Sequence, residues 1–344
     1  MSAETVRTTA EIEIGGRRAN PLAGAARRLF AAQEGILLLC IVALFLYLAN
    51  RSPVFWTERN IGTLLTQISM VAITAIGMTL LIIAREVDLS VGSMQAFIGV
   101  LAMQTLNATE NLFVGLVVAL LVGAIVGLIN AGLTLGLGIS SFVVTLAMFS
   151  IVRGAAYTST DAAVQNEHKI PAFRTIGIGA IIDEPVRIPW PVIIMAAVFI
   201  IFFLVLRGTT FGRYIYAVGG NPKAAALSGI PVNLVKTACF VITSMLAALS
   251  AFILIARMNS GQNNAGFGFE LQVIGAVLLG GASLAGGKGT LIGTLLATIL
   301  LGTISNGITL LKWDTNWQTA VPGIVIVIAV FLDALRRRVT REEA

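Results

Sequence analysis

Between Ile36 and Phe331 the chain is a succession of apolar runs, interrupted at length only once, by the polar stretch 153–189. The runs are continuous and lack the apolar/polar alternation of barrel strands. A helix needs about 20 residues to cross a hydrocarbon core, so runs of this kind predict spanning helices. They fall at about 35–50, 61–84, 89–106, 112–136, 140–152, 190–206, 234–256, 273–285, 290–311 and 317–333. The expected fold is an all-α polytopic membrane protein with about ten transmembrane helices, some of them broken. In domain terms it is a tail (1–34), a transmembrane domain (35–333) and a second tail (334–344).

Composition strengthens that picture. Hydrophobic residues make up 57% of the chain and charged ones 12%, and the mean hydropathy is +0.91, far from a soluble domain. The first 30 residues are polar and contain Arg, with no apolar core before a small-residue cleavage site, so no cleaved leader is expected. Lys and Arg collect in cytoplasmic loops. With both termini inside, 15 of the 23 Lys and Arg lie on the inner side. This places 207–233 in the cytoplasm and 153–189 outside. The net charge of +6 then reflects basic span ends facing anionic lipid, and nucleic acid is not an expected partner. Cys40 and Cys239 both lie in apolar runs, where a disulfide is not expected.

Two spans end in polar, glycine-containing breaks without a true loop: "REVDLSVGS" (85–93) and "LLGGASLAGGKGTLIG" (278–293). Broken helices at membrane depth are tolerated where free backbone groups meet protein or water, as along transport pathways. The breaks make Asp88, Ser90, Gly92, Gly280, Gly281, Gly286 and Gly287 candidate pathway or hinge residues. Asp88 either caps the third span or pairs with a cation such as Arg85. Scattered glycines such as Gly115, Gly123 and Gly127 read instead as helix-packing positions. "IGMTLLIIAR" (76–85) and "IGAVLLGGAS" (274–283) match in register, suggesting a parallel internal repeat.

Enzymatic signatures are scarce. "GGASLAGGKGT" fails the phosphate-loop pattern, since position 282 is Ala and Gly289 follows Lys288. His168, beside Glu167, is the only histidine and lacks the neighbours of a metal site. No catalytic, metal or cofactor-binding residues are expected. Acidic residues are rare within the spans, which argues against an ion-coupled carrier. An ATP-independent channel or facilitator remains open on the residues alone.

The insert "FGRYIYAVGGNPKAAALSGI" (211–230) has the makings of a short capped knob. Asn221 suits a helix N-cap, Pro222 its first position, Ala224 to Leu227 its body and Gly229 its end. This insert, "VDLSVGS" (87–93) and "LGGASLAGGKGTLIGTLLATILLGTISNGITLL" (279–311) together closely resemble the permease subunits of bacterial ribose-type ABC importers, over about Ile61 to Arg336. The chain departs from the commoner "GGIDLSVGS" form in carrying Arg85-Glu86-Val87 before Asp88. The resemblance implies uptake of a monosaccharide or related polyol by alternating access in the bacterial inner membrane. It also implies a separate cytoplasmic ATPase subunit, an extracytoplasmic sugar-binding protein and a second permease copy. It gives Gly212, Arg213, Gly219, Gly220, Asn221, Pro222, Ala224, Ala225, Ser228 and Gly229 to the ATPase-coupling insert, and adds Asn306 to the candidate pathway residues.

Overall fold

A computed structural model describes residues 33–166, 170–182 and 187–342, with side chains described up to Phe331. His168, Glu167 and nearly all of the N-terminal tail lie outside the described residues.

Thirteen α-helices run along the described chain: α1 (Gln33–Arg51), α2 (Glu58–Ile83), α3 (Val91–Thr109), α4 (Leu112–Ala131), α5 (Ser141–Ser159), α6 (Pro171–Ile178), α7 (Trp190–Gly208), α8 (Thr210–Gly220), α9 (Pro222–Leu227), α10 (Val232–Met258), α11 (Phe269–Leu279), α12 (Leu291–Leu310) and α13 (Trp317–Glu342). One π-helical turn, Gly132–Gly136, prolongs α4. Four strands of two or three residues form two small antiparallel pairs: β1 (Val164–Gln165) with β4 (Ser260–Gly261), and β2 (Ala180–Ile182) with β3 (Ile188–Pro189). The chain is thus an all-α polytopic membrane protein. Seven of the described helices are long and apolar enough to cross a membrane, while α11 and the segment Trp317–Phe331 are shorter apolar helices.

The centre is built from α2 and α3, each packed on α10, and all three bury most of their side chains. Around them α4 and α7 expose apolar faces, as lipid-facing helices must. Glycine sets how close α4 comes to α10. A Cβ on Gly123 would stand 2.8 Å from the Ala248 Cβ and the Ser244 carbonyl, and one on Gly127 2.9 Å from the Phe240 carbonyl. Both contacts bear out the packing role read from the sequence for these glycines.

Two span boundaries need correction. The fifth was expected to end at residue 152, before Arg153, yet α5 continues to Ser159. Arg153 is buried, and its guanidinium donates to the carbonyls of Ala265 (2.6 Å) and Gly92 (3.4 Å). A charge that looked like a span end is instead buried, with backbone carbonyls answering its Nη groups. The eighth was expected over 273–285 but occupies Phe269–Leu279. Gly280 and Gly281 stop it: Gly281 takes φ +97°, and Gly280 lies against the Thr294 backbone, where a Cβ would come within 2.5 Å.

Candidate functional site

Three features converge where α2 ends. The helix closes with a Schellman-like turn in which Arg85 N–H donates to Ile82 O and Glu86 N–H to Leu81 O, both at 3.0 Å. Its last carbonyl, Ile83 O, accepts from Gly287 N–H at 2.9 Å, which binds the 280–290 break to α2. Gly219 presses on the same carbonyl so closely that a Cβ would overlap Ile83 O. Gly286 and Gly287, at φ +79° and +72°, fold the break over Gly219 and Gly220. Tyr216 adds a 2.8 Å hydrogen bond to Gly289 O, and burial raises the pKa of its phenol. Sequence spacing did not reveal that Gly219 and Gly220 of one motif meet Gly286 and Gly287 of another.

From this knot projects α9. Asn221 Oδ1 accepts from Lys223 and Ala224 N–H, both at 3.1 Å, Pro222 occupies the first turn, Ser228 donates to Ala224 O and Gly229 takes φ +80°. The capped knob read from the sequence therefore forms. Its faces are distributed differently, however. Ala225 is 5% exposed and turned into the chain, whereas Leu227 is 91% exposed and Lys223, Ala224 and Ala226 lie beside it. Gly212 is buried against the Leu206 carbonyl, and Arg213 is exposed.

The break between α2 and α3 centres on Asp88, which is fully buried. Its Oδ1 accepts from Ser90 N–H (2.8 Å) and Ser90 Oγ–H (2.5 Å), and its Oδ2 from Asn130 Nδ2 (3.2 Å) and Ser244 Oγ (3.3 Å). The carboxyl bonds Ser90, the N-cap residue of α3, and not the N–H groups of the α3 first turn, and it also joins α4 and α10. Pairing with Arg85 does not form: that guanidinium donates to Gly219 O and Gly220 O. Glu86 takes Lys236 as its ion-pair partner. Gly92 admits Glu270, whose carboxyl a Cβ there would strike.

A cavity of about 300 Å³ opens between α2, α3, α10, α11, α12, α13 and the 262–268 loop. Gln67, Gln95, Gln272, Gln318, Thr298, Ser305 and Arg257 supply its polar groups, and Phe267 and Phe269 its aromatic ones. A neighbouring cavity shares Gln67, Ser305 and Gln318, so the two lie in series. At the second, Asn306 and Asn60 exchange amide hydrogen bonds of 2.8 and 3.3 Å. Asn306 is thus brought to a cavity wall. The glutamines were missed, because isolated amides in apolar runs form no motif. Their only signal was polarity in an otherwise apolar span. The lining contains no Asp, Glu or His, and among the described residues no group of three His, Cys, Asp or Glu is placed to hold a metal. Neutral amides and hydroxyls both donate and accept, which matches vicinal hydroxyls on a ligand, while aromatic rings suit its C–H faces.

A family model described as the permease component of a branched-chain amino acid transport system matches residues 60–330. The chain belongs to this permease family. The permease is 38% identical over 299 residues to the ribose import permease protein RbsC of Escherichia coli (strain K12), covering 86% of this chain and 92% of that protein. It is 38% identical over 300 residues to the ribose import permease protein RbsC of Bacillus subtilis (strain 168), covering 87% and 90%. It is 35% identical over 311 residues to the L-arabinose ABC transporter permease protein AraH of Azospirillum brasilense, covering 90% and 89%. No solved structure matches the permease.

Proposed function

We propose that this permease is the membrane subunit of a bacterial ATP-binding-cassette importer for a monosaccharide or related polyol. The observation that carries the reading is the cavity: amides, hydroxyls and aromatic rings, with no acidic side chain or histidine in the lining. The family description names amino acids, but an amino acid needs both its ammonium and carboxylate answered, and the lining offers a cation, Arg257, without an anion. The names of the relatives point the same way, to ribose and arabinose. The absence of acids from the lining also disfavours coupling to an ion gradient.

In this reading the chain crosses the inner membrane ten times, with both termini cytoplasmic and the outer loop at 153–189. A second copy completes the pathway, and lipid covers the remaining apolar faces. A sugar-binding protein delivers substrate from outside. The 207–233 segment docks on a separate ATPase, and ATP-driven closure switches the pathway between outward and inward access. The permease changes no bond itself. α9 supplies the docking surface through Leu227, with Lys223, Ala224 and Ala226 around it, and Ala225 anchors it from behind.

The test is reconstitution of permease, ATPase and binding protein in liposomes, with uptake of labelled ribose and arabinose followed. Uptake should require ATP and both partners. Uptake by permease alone would establish a facilitator and refute the importer reading. Leu227→Arg changes an exposed side chain, so the variant should insert and fold, yet lose co-purification with the ATPase and at least ~90% of uptake. Retention of both would move the docking site elsewhere.

A further inference from the structure

Arg85 stands at a position built for glycine. Its backbone takes φ +68°, one of four described non-glycine residues at positive φ, and the left-handed region disfavours a side chain. The cost is offset by where the side chain goes. Arg85 Nε donates to Gly219 O at 2.6 Å and Nη2 to Gly220 O at 2.8 Å. These are the last carbonyls of α8, which have no acceptor role left inside that helix. A guanidinium there answers the two orphan carbonyls and the negative end of the helix dipole together. Gly286 lies against the stem, since a Cβ on it would overlap Arg85 Cγ. The next residue, Glu86, pairs with Lys236 in the first turns of α10.

We infer that Arg85 is a positioning residue that straps the α8–α9 elbow to the end of α2, so that displacement of α9 is transmitted to the broken helices α2 and α3. The geometry is specific. α9 begins two residues after Gly220, and Asn221 both follows the strapped carbonyls and caps α9. α3 begins six residues after Arg85, with Asp88 between them joining α4 and α10. A push on α9 therefore reaches α2 and the break before α3 through this guanidinium, while α10 also touches α8 and α9 directly. Beside the strap, glycine packing of Gly219 on Ile83 O also meets α2, whereas Tyr216 ties the elbow to the 280–290 break and α8 packs on α10.

The inference rests on α9 being the docking element, and two measurements separate the strap from that premise. The first uses the purified permease alone. Arg85→Gly suits the positive φ and keeps the Glu86–Lys236 pair, so the fold is retained. Hydrogen exchange of amides 219–229 should accelerate by on the order of tenfold, as expected for loss of charge-assisted hydrogen bonds. Arg85→Lys, which keeps the charge but one point of attachment, should restore part of the protection. Unchanged exchange in Arg85→Gly overturns the strap, whether or not an ATPase docks on α9. The second uses the reconstituted complex. Arg85→Gly should co-purify with the ATPase as wild type does and still hydrolyse ATP, while sugar molecules moved per ATP fall about fivefold or more, with partial recovery in Arg85→Lys. An unchanged transport ratio overturns transmission through Arg85. Loss of ATPase from wild type and variant alike would instead refute the docking premise, leaving the exchange result to decide the strap.

Discussion

Asp88 illustrates how one side chain serves two ends at once. As an acceptor for Ser90 N–H and Oγ–H it fixes the turn just before α3, and as an acceptor for Asn130 and Ser244 it pins α4 and α10 to the break. Complete burial means that every donor it leaves must stay unpaired, at about 1–3 kcal/mol each. Asparagine can keep the Ser90 contacts through its carbonyl. Its amide would face Asn130, whose own Oδ1 is buried without a partner, so a turn of that amide lets the new N–H₂ donate to it. Asp88→Asn should therefore cost only ~1 kcal/mol and keep most uptake. Asp88→Ala strands the Ser90, Asn130 and Ser244 donors and should cost ~3 kcal/mol or more. Thermal unfolding in detergent, beside uptake at matched protein amounts, checks both. Equal and severe loss in the two variants would show that charge, rather than acceptor count, is what the site requires.

At the level of elements, the close seat of α4 on α10 depends on missing side chains. Gly127→Val would drive a branched side chain into the Phe240 carbonyl and the Val241 backbone, each only 2.9 Å from the position of a Cβ. Neither neighbour is a flexible side chain, so the helices must part, at ~1–3 kcal/mol. Lower thermal stability with insertion intact is the expected result, and an unchanged unfolding temperature would mean the helices separate freely. Such packing glycines were legible in the sequence, because a small residue inside an apolar run has few other uses. The α9 knob was legible too: Asn221, Pro222 and Gly229 each have a conformational preference that needs no tertiary partner. Long-range satisfaction was not. Nothing local announces that Arg153 is buried against the carbonyls of Gly92 and Ala265, or that Ala225 turns inward while Leu227 turns out. The 280–285 segment misled for the related reason that its apolar side chains resemble a span while its glycines adopt a buried turn. The internal repeat carried forward only loosely. α2 and α11 end in the same pair of turn hydrogen bonds, but α11 does so two residues earlier in the shared register.

On the scale of the whole molecule, hydrogen bonds sort the helix ends into two groups. One contains the end of α2, the start of α10, the α8–α9 elbow and the 280–290 break, with Thr290 bonded to Glu34 at the start of α1. The other contains the ends of α3, α5 and α10, where Asn107 bonds Gln165 O, Gln104 bonds Ser159 O and Asn166 bonds Asn259. Among the described residues up to Phe331 the cations divide almost evenly between them. Arg85, Arg207, Arg213, Lys223, Lys236 and Lys288 lie at the first end, and Arg51, Arg59, Arg153, Arg174, Arg187, Arg257 and Lys312 at the second. The inward bias thus comes from the basic tails, five Arg before residue 32 and four after residue 335. Since orientation follows Lys and Arg close to the spans, we propose that the tails set it, with the first end in the cytoplasm. Single cysteines at Gln165 and Leu227, both exposed, test this once Cys40 and Cys239 are replaced by Ser and Ala. In intact cells an impermeant thiol reagent should label Gln165→Cys and spare Leu227→Cys, while opened membranes should label both. Labelling of Leu227→Cys from outside would invert the molecule, and with it the side on which any ATPase must bind.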